Sequence, residues 1–174
     1  MGSGISGNYS GTIEMSQPYS TSYEVCKDML EKDKQDIDIY NPNTGYCKNP
    51  TATNLSEAII GDGVYIGEKR MHGKFPYILT EYGEVIFGKR VNPNNPTKRA
   101  PHPTLIGGKN PLVKCAGMIT FSKGKIVSID NDSGHFKPNV KSMLFVNEYM
   151  NNLYKLHPTA FSNISKWRKK NEKN

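Results

Sequence analysis

Cysteine is scarce in this chain of 174 residues: Cys26, Cys47 and Cys115 are all it has. The count is odd and no two are spaced as a Cys-x-x-Cys pair, which argues against a disulfide framework and a cysteine-ligated zinc module. Cys115 lies in the apolar run 113–119 and is expected as a buried small hydrophobe. Long apolar runs are lacking too. No stretch approaches the roughly 18 residues of a transmembrane helix. The start, Met1-Gly2-Ser3-Gly4-Ile5-Ser6, has no apolar core of a secretory signal. The expected location is therefore the cytoplasm of the producing cell, with delivery into a target cell as the further expectation. Gly2 and Ser6 satisfy the short Met-Gly-x-x-x-Ser pattern for N-myristoylation, although a flexible lead is the plainer reading. Apolar residues are also few, at 36% against about 45–50% in ordinary globular chains. The deficit falls at the two ends, while the stretch from Val64 to Tyr154 is richer. The expected organisation is an irregular lead over 1–20, one domain over 21–164 and a basic tail over 165–174.

What the chain does have is positive charge. Lys and Arg number 23 against 16 Asp and Glu, for a net charge of +7. Such a balance favours anionic partners, nucleic acid or nucleotides first among them. Part of the excess is the tail Lys166-Trp167-Arg168-Lys169-Lys170 with Lys173, whose simplest role is solubility. The rest gathers between Lys89 and Lys141.

Apolar periodicity predicts a helix over about 21–33 from Val25, Met29 and Leu30, closed by the charged run Glu31-Lys32-Asp33-Lys34. Asn54 and Glu57 have the spacing of a capping box for a short helix with Leu55, Ala58, Ile59 and Ile60 on its buried face. From Val64 the period becomes two. Strands are expected at 64–66, 75–79 and 85–89, then a tight hairpin whose arms are Met118 to Phe121 and Ile126 to Ile129. The Pro- and Asn-rich stretch 92–101 is a long loop. Pro138 and Asn139 open a helix that carries Met143, Leu144, Val146, Met150 and Leu153, and a short helix using Ala160, Phe161 and Ile164 follows Pro158. Helices, then antiparallel strands, then a helix make an α+β fold: a small antiparallel sheet with N-terminal helices and a C-terminal helix packed on it.

The chemistry concentrates between His102 and Pro138. Ser133-Gly134-His135-Phe136-Lys137-Pro138 puts a hydroxyl and an imidazole beside a glycine, ahead of a helix start that favours an anion. Imidazole is the side chain that exchanges protons near neutral pH. An ordinary strand-to-helix turn, in which Ser and His satisfy local backbone groups, explains the same residues. His102-Pro103-Thr104-Leu105-Ile106-Gly107-Gly108-Lys109 is a second such element, whose Gly107-Gly108 beside Lys109 could cradle a phosphate, although it lacks the P-loop spacing. His72 and His157 are expected at exposed or structural positions. Asp130, Asp132 and His135 match no established metal-ligand spacing, so neither a metal nor another cofactor is expected. Glu81 and Glu84, three apart in a turn, do not make a glycosidase pair. Ser20-Thr21-Ser22 matches one motif of some ADP-ribosyltransferases, but no Glu-x-Glu or Gln-x-Glu completes the set.

Taken in order, His102-Pro103-Thr104-Leu105-Ile106-Gly107-Gly108, Ala116-Gly117-Met118-Ile119, Gly124-Lys125-Ile126 and Ser133-Gly134-His135-Phe136-x-Pro138 resemble a domain of plant IQ-motif calmodulin-binding proteins. Phe136 stands where that domain more often has Tyr. The IQ motif is missing, so calmodulin binding does not carry over. The whole chain also looks like small proteins and toxin C-terminal modules of Firmicutes, through Met1-Gly2-Ser3-Gly4-Ile5 and Tyr46-Cys47-Lys48-Asn49-Pro50-Thr51-Ala52. The resemblance implies a shared site with His102 and His135 as its polar members.

These readings converge on a bacterial toxin or effector domain acting on nucleic acid or a nucleotide, with metal-free RNA cleavage by a histidine pair as its sharpest form. The expected acid–base groups are His135 and His102, with Ser133 positioning substrate. Lys98, Arg99, Gly107, Gly108, Lys109 and Lys137 are expected to hold phosphate. The expected partners are nucleic acid or a nucleotide, and an immunity or host target protein. The rival is a non-catalytic ligand- or protein-binding module, such as an accessory or inhibitor protein of a phage or mobile element.

Overall fold

A computed structural model describes residues 16–165. The expected basic tail beyond Ser165 and the Gly2/Ser6 pattern lie outside the described residues, as does all of the lead before Ser16.

The framework starts from a ten-residue strand whose side chains alternate in burial. In chain order the elements are helix α1 (Lys27–Asp33), strands β1 (Tyr40–Asn41), β2 (Gly45–Tyr46) and β3 (Thr53–Asn54), and a 3-10 turn (Leu55–Ala58). Next come β4 (Ile59–Ile60), β5 (Gly63–Ile66), β6 (Lys69–Arg70), β7 (Gly73–Thr80) and β8 (Val85–Phe87). A 3-10 turn (His102–Leu105), β9 (Val113–Ser122) and β10 (Lys125–Ile129) follow. The chain then forms a 3-10 turn (Val140–Ser142), helix α2 (Met143–Leu156) and a last 3-10 turn (Pro158–Ala160). The main sheet has five strands in the order β10-β9-β7-β8-β3, every neighbour antiparallel. The architecture is α+β, with helices on an antiparallel sheet. Among the described residues no helix is long and apolar enough to cross a membrane.

The sheet is buried on both faces, which is why its central strands read as nearly continuous apolar runs. Tyr77 and Leu79 of β7 and Cys115, Ile119 and Phe121 of β9 join Met143, Val146, Met150 and Leu153 of α2 in one core. Ile78 of β7 and Val113 and Ala116 of β9 face the other way, into a core built from Tyr23, Val25, Tyr40, Tyr46, Leu105 and Phe136. This second core draws α1, the 102–105 turn and the 133–137 loop to one face.

Several elements depart from their sequence patterns. The first helix begins at Lys27 rather than near residue 21, because Tyr23 pairs through both its N–H and its C=O with Val113 (2.7 and 3.1 Å). Sheet pairing there outweighs the helical period of Val25, Met29 and Leu30. The element capped by Asn54 is one 3-10 turn: Asn54 Oδ1 accepts from the Ser56 N–H at 3.1 Å. Ile59 and Ile60 leave that turn for strand β4, where Ile60 is exposed. The strand expected to end at residue 89 stops at Phe87. The element after Pro158 is likewise a single 3-10 turn, and Ile164 is exposed beyond it. Asn139 caps the turn ahead of α2, its Oδ1 accepting from the Lys141 N–H at 3.0 Å.

Candidate functional site

The 133–137 loop is held mainly through its carbonyls, those of Ser133, His135, Phe136 and Lys137 all accepting hydrogen bonds. The Cys26 N–H donates to the His135 carbonyl (2.7 Å), Gln17 Nε2 to that of Phe136 (2.6 Å), and the Gln17 N–H to that of Lys137 (2.8 Å). Phe136 is fully buried in the second core and acts as the loop's anchor. Ser133 closes the turn: its carbonyl accepts the Lys137 N–H (2.8 Å) and its Oγ the Phe136 N–H (3.3 Å). Lys137 has φ near +42°, so the loop carries a left-handed residue that is not glycine. A strained, tightly tied loop of this kind holds its side chains in fixed positions.

His135 is the side chain this loop presents. Its Nε2 lies 2.9 Å from Asp33 Oδ2, and the Tyr46 hydroxyl donates to the same oxygen at 2.5 Å. Asp33 is the last residue of α1 and only 5% exposed. A carboxylate is unfavourable there on two counts, since it is buried and sits at the negative end of a helix. Two donors on one oxygen compensate it. The carboxylate accepts, so Nε2 carries the hydrogen and Nδ1 is the nitrogen left to take a proton. Among the described residues nothing hydrogen-bonds to that Nδ1, and the His135 side chain stays partly exposed, at 15%. Burial and the Asp33 carboxylate together push the Tyr46 phenol upward, so it stays protonated and remains a donor.

His102 stands differently. It is 4% exposed, and its Nε2 donates to the Gly117 carbonyl at 2.8 Å. Burial lowers its pKa to about 4; the Gly117 carbonyl opposes this and the nearby charges of Arg90 and His135 reinforce it. The ring is therefore neutral at pH 7 and its donor nitrogen is spent on the backbone. The site at Gly117 depends on the missing side chain: a Cβ there would lie 2.0 Å from the Asp130 carbonyl oxygen. The chain leaving β10 crosses directly over β9 at this point, with Asp130 Oδ1 accepting from the Met118 and Asp132 N–H groups, both at 2.9 Å. Burial raises the Asp130 carboxyl above its ordinary range.

The expected phosphate-binding residues separate. Lys98 reaches away to Asp36 (3.4 Å) and Asp38 (3.1 Å), while Asn94 and Asn95 bond to Asp38 beside it. This staple fixes the Pro- and Asn-rich loop to the segment after α1. Between them lies a hollow of about 410 Å³ that Lys32, Asp33, Asp36, Asp38 and Lys98 help to line. Gly107 and Gly108 both have left-handed φ, but their N–H groups are engaged, with Pro103 O (2.9 Å) and Tyr46 O (3.0 Å). Their geometry is thus that of a bridge to β2 rather than an open cradle. Gly45 makes the same bridge possible, since a Cβ on it would meet the Gly108 backbone at 2.2 Å. Lys109 is exposed past this bridge. Arg99 is exposed on the 92–101 loop, close enough to Arg90 for their charges to repel. Lys137 flanks His135 and acts on the Cys26 thiol. Among the described residues no group of three or more His, Cys, Asp or Glu is placed to hold a metal.

Two members of the site escape a sequence reading. Asp33 sits in a run of alternating charges that reads as a solvated helix end, and nothing local marks it as buried. Tyr46 does leave a signal, in the block Tyr46-Cys47-Lys48-Asn49-Pro50. Neither family models, nor characterised proteins, nor solved structures yielded a match to this chain.

Proposed function

We propose that this chain is a toxin or effector-type domain that acts on nucleic acid or a nucleotide, with His135 as its general base and acid. The observation that carries the reading is the buried Asp33 carboxylate 2.9 Å from His135 Nε2. A carboxylate in that position fixes the tautomer and the ring plane and stabilises the cation that forms when Nδ1 takes a proton. Tyr46 locks the carboxylate in turn. In a cleavage step the Nδ1 lone pair removes the proton from an attacking hydroxyl or water, and the imidazolium returns it to the leaving oxygen. The expected two-histidine mechanism is narrowed to one histidine. His102 is neutral, buried and committed to Gly117, so its part is to position the β9 backbone under the 130–132 segment. Ser133 likewise shapes the loop through Phe136. Arg99 and Lys137, the exposed or half-buried cations of this face, would neutralise the anionic substrate.

The test is expression of the wild type and of His135→Ala and Asp33→Asn variants in bacteria, with growth, RNA integrity and dinucleotide levels followed together. The wild type is expected to arrest growth with loss of one of these substrates. His135→Ala, folded by circular dichroism, should lower the rate about 10²–10⁴-fold, and Asp33→Asn should fall between. A folded His135→Ala protein of undiminished potency removes the catalytic role. A harmless wild type that binds a partner instead favours the rival reading, a binding module.

A further inference from the structure

Arg90 is the cation that the account above leaves unused. Its backbone is pinned: the Lys89 carbonyl next to it accepts from Asn49 Nδ2 (2.6 Å) and Thr51 Oγ1 (3.1 Å), and the Arg90 carbonyl accepts the Ala100 N–H (3.4 Å). The Ala100–Arg90 bond folds the long loop back on itself and brings Arg99 close enough for its charge to act on Arg90. The Arg90 guanidinium reaches Met118 Sδ of β9 at 3.6 Å. Met118 follows Gly117, whose carbonyl holds His102, and the charges of Arg90 and of His135 both bear on the His102 ring, so the two side chains flank it.

This is poor company for a half-buried guanidinium. Its planar fork of donors suits a carboxylate or phosphate, and a thioether is a weak acceptor. Among the described residues no carboxylate comes within 4.0 Å of it. Asp132 attracts it from farther off, whereas burial and then the charge of Arg99 oppose its cationic form. Two guanidiniums whose charges repel, with the Met118 contact the one side-chain hydrogen bond that either makes among the described residues, form a charge arrangement that an anion would relieve. Lys98, next in the chain, shows the contrast: its ammonium is already taken by Asp36 and Asp38.

We infer that Arg90 and Arg99 form a clamp for a phosphate group at the edge of the His135 site, and that the ligand is a nucleotide or a polynucleotide backbone. The inference rests on the catalytic reading of His135 for its purpose, but the clamp is a binding device and is measured apart from turnover. Arg90 supplies the oriented fork, and Arg99 supplies charge from the exposed side. Both sources of the ligand present the same phosphoryl oxygens, so the clamp alone does not choose between them.

Titration calorimetry of the full chain with ADP and, separately, with a short single-stranded RNA provides the test. At least one probe should bind, and the one that binds more tightly names the source. Arg90→Met, which keeps contact with Met118, and Arg99→Gln should each weaken binding about tenfold or more, a loss of about 1.4 kcal/mol at 25 °C. Lys123→Gln, on the distant turn between β9 and β10, should leave it unchanged. If Arg90→Met fails to fold, Arg90→Lys and Arg99→Gln carry the comparison, since a lysine keeps the charge and loses the fork. The clamp is overturned if neither probe binds, if both arginine variants bind as tightly as the wild type, or if Lys123→Gln weakens binding as much as Arg99→Gln. Binding that depends on Arg90 and Arg99 in a chain that harms no cell supports the clamp and removes the catalytic reading of His135.

Discussion

Lowering the pH from 7 to 4 should cost this protein stability through one buried side chain, His102. Its pKa is about 4 in the fold against 6.5 for the free side chain, chiefly because burial penalises the cation. The unfolded chain therefore binds a proton at His102 as the pH falls through 6.5, while the folded chain stays neutral until about 4. Stability is fully present above 6.5 and is lost across that window, by about 3 kcal/mol in total. For a domain of this size such a loss corresponds to roughly 6–12 °C in melting temperature. Carboxylates titrate nearby: the Asp130 carboxyl is raised and that of Asp38 is lowered, so the wild-type curve alone mixes several groups. A difference measurement isolates the histidine. In His102→Gln an amide nitrogen can still donate to the Gly117 carbonyl and cannot gain a proton. Urea midpoints for both proteins, taken between pH 4 and 7.5, should converge on acidification, with the wild type losing about 3 kcal/mol more than the variant. A pH-independent difference between them would refute the reasoning, because it would mean that His102 titrates alike in the folded and unfolded chains.

Two further outcomes follow from close approaches and pairings. Gly117→Ala should lower stability by about 3 kcal/mol or more, because its Cβ has no room below the Asp130 carbonyl, 2.0 Å away; a thermal melt within a degree of the wild type would show that the crossing can move. Lys98→Ala should shift the chemical-denaturation midpoint little, since its ammonium is exposed and water screens its pairs with Asp36 and Asp38. The same variant should leave any effect on cell growth unchanged, and a loss of potency without a loss of stability would place Lys98 on the substrate.

Much of the framework can be read from the chain itself. The β9–β10 hairpin, the β7–β8 pair, a helix after Pro138 and Asn139 (it starts at Met143, beyond the 3-10 turn that Asn139 caps), and the irregular 92–101 loop all announce themselves through local period and turn chemistry, which act within a few residues. The 102–138 segment was also legible as the richest in reactive side chains. What each histidine does was not. His102 and His135 look equivalent as residues beside loops, yet one is buried against a carbonyl 15 residues away and the other is paired to a carboxylate 102 residues away. Asp33 is the decisive case: a charge in a polar run at a helix end, buried only because the second core brings α1, β2 and the 133–137 loop together. Arg90 is similar, since its thioether contact and its proximity to Arg99 exist only once β9 and the folded-back loop lie side by side. By itself the sequence determined the α+β elements, the excess of positive charge and the stretch richest in histidines and loop hydrogen-bonding groups. The tertiary structure decided which histidine has a carboxylate and which is spent on the backbone, because burial and long-range pairing belong to the packed chain and leave no trace in local order.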